Sequence, residues 1–530
     1  MTDRAPSADP ISTPSSDISA DAPVTRREVR LVYAGFMVVM ALAALDQSVV
    51  ATALPRIVSD LGGMAYLSWV VTAYVLASTT VMPLYGKLSD QYGRKPLIYA
   101  AVLIFLLGSL LCALSSSMTQ LICFRILQGV GAGGLVPLSQ IIIGDLVPPR
   151  ERGRYQGNMG MVYAAATLGG PALGGIITDA LSWHWIFLLN LPIGALALVM
   201  IALTLKRRHK TTQRAIDYAG AILLMGATSG LLLLLSLGGK QLPWSSPRLI
   251  GLVCFTLLAT AAFVWRENRA AEPIMPMSLF RHRVFVIAIS VVALSFMSSQ
   301  GASVYFPLFC QGVYDVKMSN SGWLTAPLMI GVVVSARVNG RIVMRTGRYK
   351  PPQLIGSCAS IVAFVGLTWA SLSAQPIWLI EPFIFLMGLS FGLVNPNMVV
   401  AVQNAIEPAL MGTATAATTF FRSLGGVMGV ASCGAILTAR LSDALTGAIL
   451  PGGIDGASLM NGGIVQIQAL APDAQAAVVE IYRHAIGMTF ATGIFTTALA
   501  LGFLILLPEL ELKSRSLSPD EKLKGDLSKR

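Results

Sequence analysis

The chain has 530 residues, a mean hydropathy of +0.68 and a formal net charge of +12, and only 12% of its residues are charged. Soluble globular proteins carry charge on about a quarter of their residues, so the composition excludes that class and predicts a polytopic membrane protein. The lysines and arginines fall in short clusters between apolar runs rather than along one face, which argues against nucleic-acid binding.

Residues 1–30 are rich in Ser, Pro, Ala and Asp and contain no apolar core of a signal peptide. Such a segment cannot bury enough apolar surface to fold, so we expect a disordered cytoplasmic tail.

Fourteen apolar runs follow, each near the length of about 20 residues that crosses the hydrocarbon core as a helix. These predicted spans cover 31–54, 68–86, 96–115, 119–143, 157–180, 184–205, 216–238, 248–265, 284–311, 321–343, 352–371, 377–402, 413–438 and 485–507. The sequence therefore predicts an all-α membrane protein with fourteen transmembrane helices.

Every second loop along the chain is rich in Lys and Arg, and the loops between them contain few. Lysines and arginines near a span resist translocation, so the loops that carry most of them should face the cytoplasm. An even number of spans then places both termini, including a tail at 508–530, in the cytoplasm. The longest loop, 439–484, is expected to be external.

Three glycine patterns recur in order along the chain and indicate an internal duplication. Gly86 and Gly93 recur 254 residues later as Gly340 and Gly347; the two further patterns recur at offsets of 259 and 256 residues. The repeat predicts two six-helix bundles in parallel, at 31–205 and 284–507. Residues 206–283 then form a linker that contains two inserted helices.

The polar stretch Gly86–Lys95 between the second and third spans is a candidate cytoplasmic gate. Its glycines allow a tight turn and close helix approach, and Asp90 can cap the N-terminus of a helix in the other half. The second copy has Met344 in place of that acid. The candidate gating residues are Gly86, Asp90, Gly93, Arg94, Lys95 and Asp145. A loop that only directs membrane insertion by its positive charge is the alternative.

Two charged residues lie deep inside predicted spans. Asp46 in the first span and Arg125 in the fourth are costly in hydrocarbon, so each is expected to face a cavity or a partner. We predict that they pair and that protonation of Asp46 is coupled to the conformation of the protein. A purely structural role for either residue remains the alternative.

Several motifs resemble those of the major facilitator superfamily, and specifically its fourteen-span drug:proton antiporters of the EmrB/QacA type. The resemblance rests on Gly86–Lys95, Leu45–Pro55, Arg125 with Gln128–Gly131, Gly170–Gly175, Trp183–Gly194 and Arg422–Gly426. It implies the major facilitator fold. In that family the fifth-helix motif accompanies antiport, which here assigns Gly170, Pro171, Gly174 and Gly175 to this role.

A central cavity between the halves is the expected binding site. Aromatic faces and uncharged hydrogen-bonding groups in its wall would suit lipophilic or amphipathic ligands. The candidate substrate-binding residues are Trp69, Tyr74, Gln128, Gln300, Tyr305, Asn395 and Arg422. For Arg422 a substrate-side, an interdomain and a structural role all stay open.

These features together predict a proton-coupled multidrug efflux transporter of the bacterial inner membrane that exports lipophilic or cationic small molecules and confers antibiotic resistance. A dedicated exporter or symporter of one metabolite on the same fold is the alternative. No P-loop is present, and the four scattered histidines and six isolated cysteines form no enzyme or metal site. We therefore expect no enzyme activity, cofactor or nucleic-acid partner. The expected partners are protons, small molecules and the bilayer, with a monomeric chain and a periplasmic adaptor as an open alternative.

Overall fold

The structure, a computed structural model, describes residues 26–63, 66–204, 216–238, 242–314, 323–445, 449–450, 454–455 and 472–512. Fourteen helical segments in this part of the chain are long and apolar enough to cross a membrane. The prediction of an all-α polytopic fold with fourteen spans is confirmed. Helices dominate because a backbone inside hydrocarbon must satisfy its own hydrogen bonds.

The first half and the inserted pair contain nine helices. These are α1 (Arg26–Leu61), α2 (Leu67–Tyr92), α3 (Arg94–Ala113), α4 (Met118–Leu146), α5 (Pro149–Ala180), α6 (His184–Leu188), α7 (Asn190–Thr204), α8 (Tyr218–Leu237) and α9 (Pro247–Glu267). The sixth span is therefore built from two helices, α6 and α7, with a break at Leu189.

The second half begins with the short helix α10 (Met277–Arg281). It continues with α11 (Arg283–Val313), α12 (Ala326–Thr346), α13 (Lys350–Leu372), α14 (Ile377–Ala405), α15 (Met411–Leu445) and α16 (Pro472–Ile505). Single 3₁₀ turns at Trp323–Thr325 and Pro408–Leu410 precede α12 and α15. Strands β1 (Ile449–Leu450) and β2 (Ile454–Asp455) pair antiparallel after α15.

Glycine contacts in the two halves repeat the same helix pairs. Gly129 and Gly133 on α4 lie directly against the backbone of α2 at Tyr74 and Ser78. At the matching positions of α14, Gly388 and Gly392 lie against the backbone of α12. Small residues let two helix backbones approach closely, so the recurrent glycines mark equivalent packing interfaces.

The two halves meet at the membrane side where the arginine-rich loops lie, which we call the basic side. At the first seam α2 packs on α15, and a Cβ on Gly86 would lie 2.5 Å from Ala416 Cβ. At the second seam α5 packs on α12, where a Cβ on Gly340 would lie 3.1 Å from Arg154 Cα. Both glycines of the recurrent loop therefore stand at contacts between the halves.

The inserted helices α8 and α9 pack on each other, and α8 also packs on α2. Arg266 donates hydrogen bonds of 3.1 and 3.0 Å to the carboxylate of Asp217, the N-terminal cap of α8. Burial alone would raise the pKa of Asp217, but these bonds and the Gly220 N–H lower it. Beyond α9, Glu272 pairs with Lys87 at 2.9 Å and ties the inserted pair to the Gly86–Lys95 loop.

Three predicted boundaries are wrong. Helix α1 begins at Arg26, inside the predicted tail 1–30, and the predicted loop 439–484 is shorter because α15 runs to Leu445 and α16 begins at Pro472. Buried Val478 and Ala485 show that the first half of α16 packs against the protein.

At the C-terminus, residues 508–512 pack against the helices and Leu512 is buried. Residues 1–25 and 513–530 lie outside the described residues.

Candidate functional site

Asp46 and Arg125 form an ion pair in the interior of the first half. Arg125 Nη1 lies 2.8 Å from Asp46 Oδ2, and both side chains are almost completely buried. Helix α1 supplies Asp46 and helix α4 supplies Arg125, the two residues for which the sequence predicts a pairing. Each charge therefore has its compensating partner within the membrane interior.

Two side-chain amides complete the shell around Asp46. Gln128 Nε2 and Asn190 Nδ2 donate to Asp46 Oδ1 at 2.7 and 2.8 Å. Asn190 also lies 2.9 Å from Ser109 Oγ, whose hydroxyl donates to the Phe187 carbonyl. Asn190 is the first residue of α7. Asp46 thus accepts three hydrogen bonds, two from α4 and one from α7.

Arg125 contacts three further groups in addition to Asp46. It donates to Gln128 Oε1 at 2.7 Å and to the Val70 carbonyl at 3.3 Å, and its guanidinium lies 4.1 Å from the centre of the Tyr74 ring. We call Asp46, Arg125, Gln128, Asn190 and Tyr74 the buried charge cluster. Removing one partner from such a pair strands the other charge and typically costs about 3–5 kcal/mol.

A cleft between the halves lies next to this cluster. Gln47, adjacent to Asp46 on α1, is exposed, as is Tyr163 on α5, and the Tyr163 hydroxyl lies 3.2 Å from Gln47 Oε1. On the opposite wall, Arg422 lies 5.2 Å from the centre of the Phe296 ring. Among the described residues Arg422 makes no ion pair. The cleft therefore has aromatic faces, amides and one uncompensated cation.

Four of the predicted lining residues do not line this cleft. Tyr74 and Gln128 are buried in the charge cluster, and Tyr305 donates to the Val430 carbonyl within the core between α11 and α15. Asn395 is buried and donates to the Phe391 carbonyl on its own helix. The reason is helix facing, which a single sequence does not reveal.

The remaining lining candidates occupy more accessible positions. Gln300 is exposed and lies beside Gly426, while Trp69 and Arg422 are half-buried. Their contact with a ligand stays a prediction.

Asp90 lies at the first seam and caps helix α15. Its carboxylate accepts hydrogen bonds from the Gly412 N–H at 3.2 Å and from the N–H and hydroxyl of Thr413 at 2.8 and 2.9 Å. A carboxylate at this position satisfies free N–H groups and interacts favourably with the helix dipole. An acid of the first half thus holds the first turn of a helix in the second half.

Arg94 connects this cap to α4. Its Nη1 donates to Asp90 Oδ1 at 2.6 Å, and its Nε donates to Asp145 Oδ2 at 2.9 Å. Gly93, with φ of 90°, separates α2 from α3 and places Arg94 beside both acids. Lys95 donates to the Ala202 carbonyl at 3.3 Å.

The second copy of the loop makes different contacts. Gly347, with φ of 69°, lies against the guanidinium of Arg150, and Lys350 donates to the Ile505 and Leu507 carbonyls. Arg150 in turn donates to the Leu512 carbonyl at 3.0 Å. The C-terminal segment thereby touches both halves on the basic side.

The glycines of the fifth-helix motif are not equivalent. Gly170 and Gly174 lie directly against Ser48 and Thr52 of α1, where a Cβ would collide. A Cβ on Gly175, by contrast, would meet no atom within 4 Å. Pro171 is exposed within α5.

Sequence reasoning missed several residues of the site. Asn190 and Ser109 complete the charge cluster, and Gln47 and Tyr163 line the cleft. Asn190 stands in the Trp183–Gly194 motif, and a polar residue there within an apolar span was the available signal. Among the described residues there is no group of three or more His, Cys, Asp or Glu that could hold a metal ion.

The sequence is similar to characterised membrane transporters. A profile of the Major Facilitator Superfamily matches residues 36–430. The chain is 37% identical over 421 residues to the multidrug transporter protein MdtP of Bacillus subtilis, covering 79% of this chain and 77% of the relative. It is 36% identical over 422 residues to multidrug resistance protein 3 of the same organism, covering 79% and 82%.

Two solved structures share the fold. The proton:xylose symporter XylE superimposes with a TM-score of 0.62 at 14% identity, covering 94% of this chain and 99% of that one. The human organic anion transporter MFSD10 superimposes with a TM-score of 0.61 at 16% identity, covering 90% and 99%. At this identity the likeness concerns the fold alone.

Proposed function

The chain belongs to the major facilitator superfamily, and we propose that it exports chemically diverse lipophilic molecules in exchange for protons. It is a transporter rather than an enzyme. The export function is supported by the similarity to the two Bacillus multidrug proteins. The observation that carries the proton coupling is the buried Asp46–Arg125 pair beside the cleft.

Protonation of Asp46 would remove the charge that compensates Arg125. The guanidinium would then keep only neutral acceptors, Gln128 Oε1 and the Val70 carbonyl, in a site without water-like screening. Such an imbalance favours a rearrangement of α1 against α4. A proton on Asp46 can in this way be linked to the conformation of the first half.

The conformation fits one step of an alternating-access cycle. The halves are joined on the basic side by the Asp90 cap and by the Gly86 and Gly340 contacts. If the basic side is cytoplasmic, as the distribution of Lys and Arg favours, the cleft in this conformation opens outward. Release of substrate and uptake of a proton would then occur from the outside.

The cleft favours substrates with an aromatic or amphipathic body. Phe296 and Phe391 pack edge to face with ring centres 5.0 Å apart, and Gln47, Tyr163 and Gln300 supply hydrogen-bonding groups. Because the Asp46 charge is compensated by Arg125, Arg422 is the uncompensated charge in this wall. Neutral and weakly acidic lipophiles should therefore be carried at least as well as cations.

The proton gradient can drive this cycle without a nucleotide or cofactor. A membrane potential supplies about 2.3 kcal/mol per charge per 100 mV, and each pH unit adds about 1.4 kcal/mol. We place the protein in the bacterial plasma membrane, as a monomer, with both termini in the cytoplasm. The plasma-membrane location is supported by the fourteen spans and the Bacillus relatives, and the orientation of the termini by the distribution of Lys and Arg.

Asp46→Asn tests the coupling. Asn keeps the size and much of the hydrogen bonding but cannot carry a proton, so proton-driven efflux from vesicles should fall by at least tenfold while energy-independent exchange of substrate persists. Asp60→Asn is the matched control, because Asp60 is an exposed acid on the same helix. Full proton-driven activity in Asp46→Asn would rule out the coupling role.

A dedicated exporter or symporter of one metabolite is the second candidate. Competition for efflux among cationic, neutral and acidic compounds separates the two, because a polyspecific transporter should be inhibited by many of them. Inhibition by one chemical class only would favour the dedicated transporter.

A further inference from the structure

A side groove lies at the second seam. It encloses a cavity of about 720 Å³ between α1, α5 and α12. Its lining residues are Met37, Arg154, Asn158, Met161, Val162, Ala165, Val333, Ala336, Arg337, Gly340, Arg341 and Met344. Three of these are arginines and none is an acid, while most of the remainder are apolar.

Within the part of the chain that the structure describes, the three arginines have no partner. Arg154, Arg337 and Arg341 are exposed, and none of them makes an ion pair or hydrogen bond to another described residue. Elsewhere on the basic side, by contrast, Lys87 and Arg94 each contact a carboxylate. The groove is therefore a concentration of uncompensated positive charge.

Arg337 lies within the predicted span 321–343. It stands three residues, about 5 Å along the helix axis, before Gly340, where the second copy of the recurrent loop begins. The Cα–Cβ bond tilts toward the helix N-terminus, here away from the basic side. A cation inside a span needs water, the interface or an anion nearby.

The groove also joins like charges from both halves. A Cβ on Gly340 would lie 3.1 Å from Arg154 Cα. Arg341 follows Gly340 directly on α12, and both Arg341 and Arg154 line the groove. Like charges repel, so an anion between them would stabilise the seam in its closed arrangement. The groove offers a place for such an anion beside Met161, Val333 and Met344.

We propose that this groove binds an anionic phospholipid from the leaflet on the basic side, with its phosphate between Arg154, Arg337 and Arg341. The acyl chains would follow the apolar wall formed by Met37, Met161 and Val333. A lipid fits better than a free phosphate because the groove is lined mostly by apolar side chains and lies at membrane depth. Basic pockets between transmembrane helices are a known means of headgroup recognition.

The proposal is tested by titrating phosphatidylglycerol into the purified full-length protein and counting bound lipids by native mass spectrometry. The double variant Arg337→Gln with Arg341→Gln should bind phosphatidylglycerol about tenfold more weakly. The matched control is Arg345→Gln with Arg348→Gln, which removes two exposed charges near the end of the same helix but outside the groove. That control should change the affinity by less than about threefold.

Two further measurements distinguish a lipid headgroup from free phosphate and control for a variant that does not fold. Phosphatidylcholine should bind weakly to all forms, and inorganic phosphate should not displace phosphatidylglycerol. If the double variant does not fold, Ala165→Phe, which fills the groove without removing charge, should reduce phosphatidylglycerol binding in the same way. Equal losses in the groove and control variants, unchanged binding in the groove variants, or displacement by inorganic phosphate would each overturn the proposal.

Discussion

The two copies of the recurrent loop, Gly86–Lys95 and Gly340–Lys350, join the two halves by different means. In the first copy Asp90 crosses the first seam to cap α15 and also pairs with Arg94. In the second copy Met344 stands in place of the acid, and the second seam is bordered by arginines that no described acid pairs with. Close approach at a glycine is common to both copies, whereas among the described residues an acid compensates the arginine of the first copy only.

This difference shows which part of the motif serves which purpose. The glycines permit the backbones of two helices to meet, and that contact survives in the second copy without the acid. The carboxylate adds a directional bond to one helix N-terminus, which can be made or broken as a unit. We infer that the first seam is the switched contact and that the second seam is held by packing and by an anion from outside the chain.

The largest expected effect comes from adding one methyl group at the first seam. Gly86→Ala would place a Cβ 2.5 Å from Ala416 Cβ and 3.0 Å from the Gly412 carbonyl oxygen, so the first seam could not close without a shift of backbone. Such overpacking costs about 1–3 kcal/mol, and the efflux rate in proteoliposomes should fall about tenfold.

Gly340→Ala is the matched substitution at the second seam. Its nearest contact would be 3.1 Å, which a shift of a few tenths of an ångström relieves, so efflux should fall by less than about threefold. Equal effects of the two alanines would contradict the distinction between the seams.

A smaller effect is expected from removing the cap at the first seam. Asp90→Ala leaves the N–H groups of Gly412 and Thr413 without a side-chain acceptor, and loss of a cap costs about 0.5–2 kcal/mol. The turnover rate should fall about fivefold while the Kd of a fluorescent substrate stays nearly unchanged.

Asp90→Asn separates the cap from the charge. Asn can still accept from the N–H groups of α15 but does not compensate Arg94, so it should retain more turnover than Asp90→Ala. An unchanged rate in both variants would remove Asp90 from the gate.

The smallest effect is expected from restoring an acid to the second copy. Met344→Asp places a carboxylate in the side groove, three residues from Arg341, and would compensate part of its positive charge. In phosphatidylcholine nanodiscs the unfolding midpoint should rise by about 1–3 °C, and added phosphatidylglycerol should raise it further by less than in the parent protein. A destabilised variant whose response to phosphatidylglycerol is unchanged would contradict the role of the groove as an anion site.

Much of the fold could be predicted from the sequence, because hydrophobic length and basic loops report directly on membrane crossing. The pairing candidates Asp46 and Arg125 were also visible, since isolated charges inside apolar spans are conspicuous. The lining residues Tyr305 and Asn395 were wrong because both sit in ordinary helical positions whose facing depends on neighbouring helices. Tyrosine and asparagine side chains occur both in cavity walls and in interfaces between core helices, so residue type alone does not separate the two environments.

Partners that come from distant parts of the chain could not be predicted. Asn190 meets Asp46 across a sequence separation of 144 residues, and Arg150 meets Leu512 because the C-terminal segment packs across the basic side. A polar residue within the apolar sixth span marks Asn190 as unusual, but its local sequence does not identify its partner. The side groove likewise exists only where α1, α5 and α12 converge.

The sequence by itself determined the fourteen helices, the duplication and the positions of the costly charges, because a backbone in hydrocarbon must satisfy its hydrogen bonds within each helix. Tertiary structure alone decided which charges are compensated and by what. It pairs Asp46 with Arg125 and Asp90 with α15, and it leaves Arg337 facing a groove without an acid. The physical reason is that charge compensation depends on distances of a few ångströms between helices, and these distances arise only when the two halves pack together.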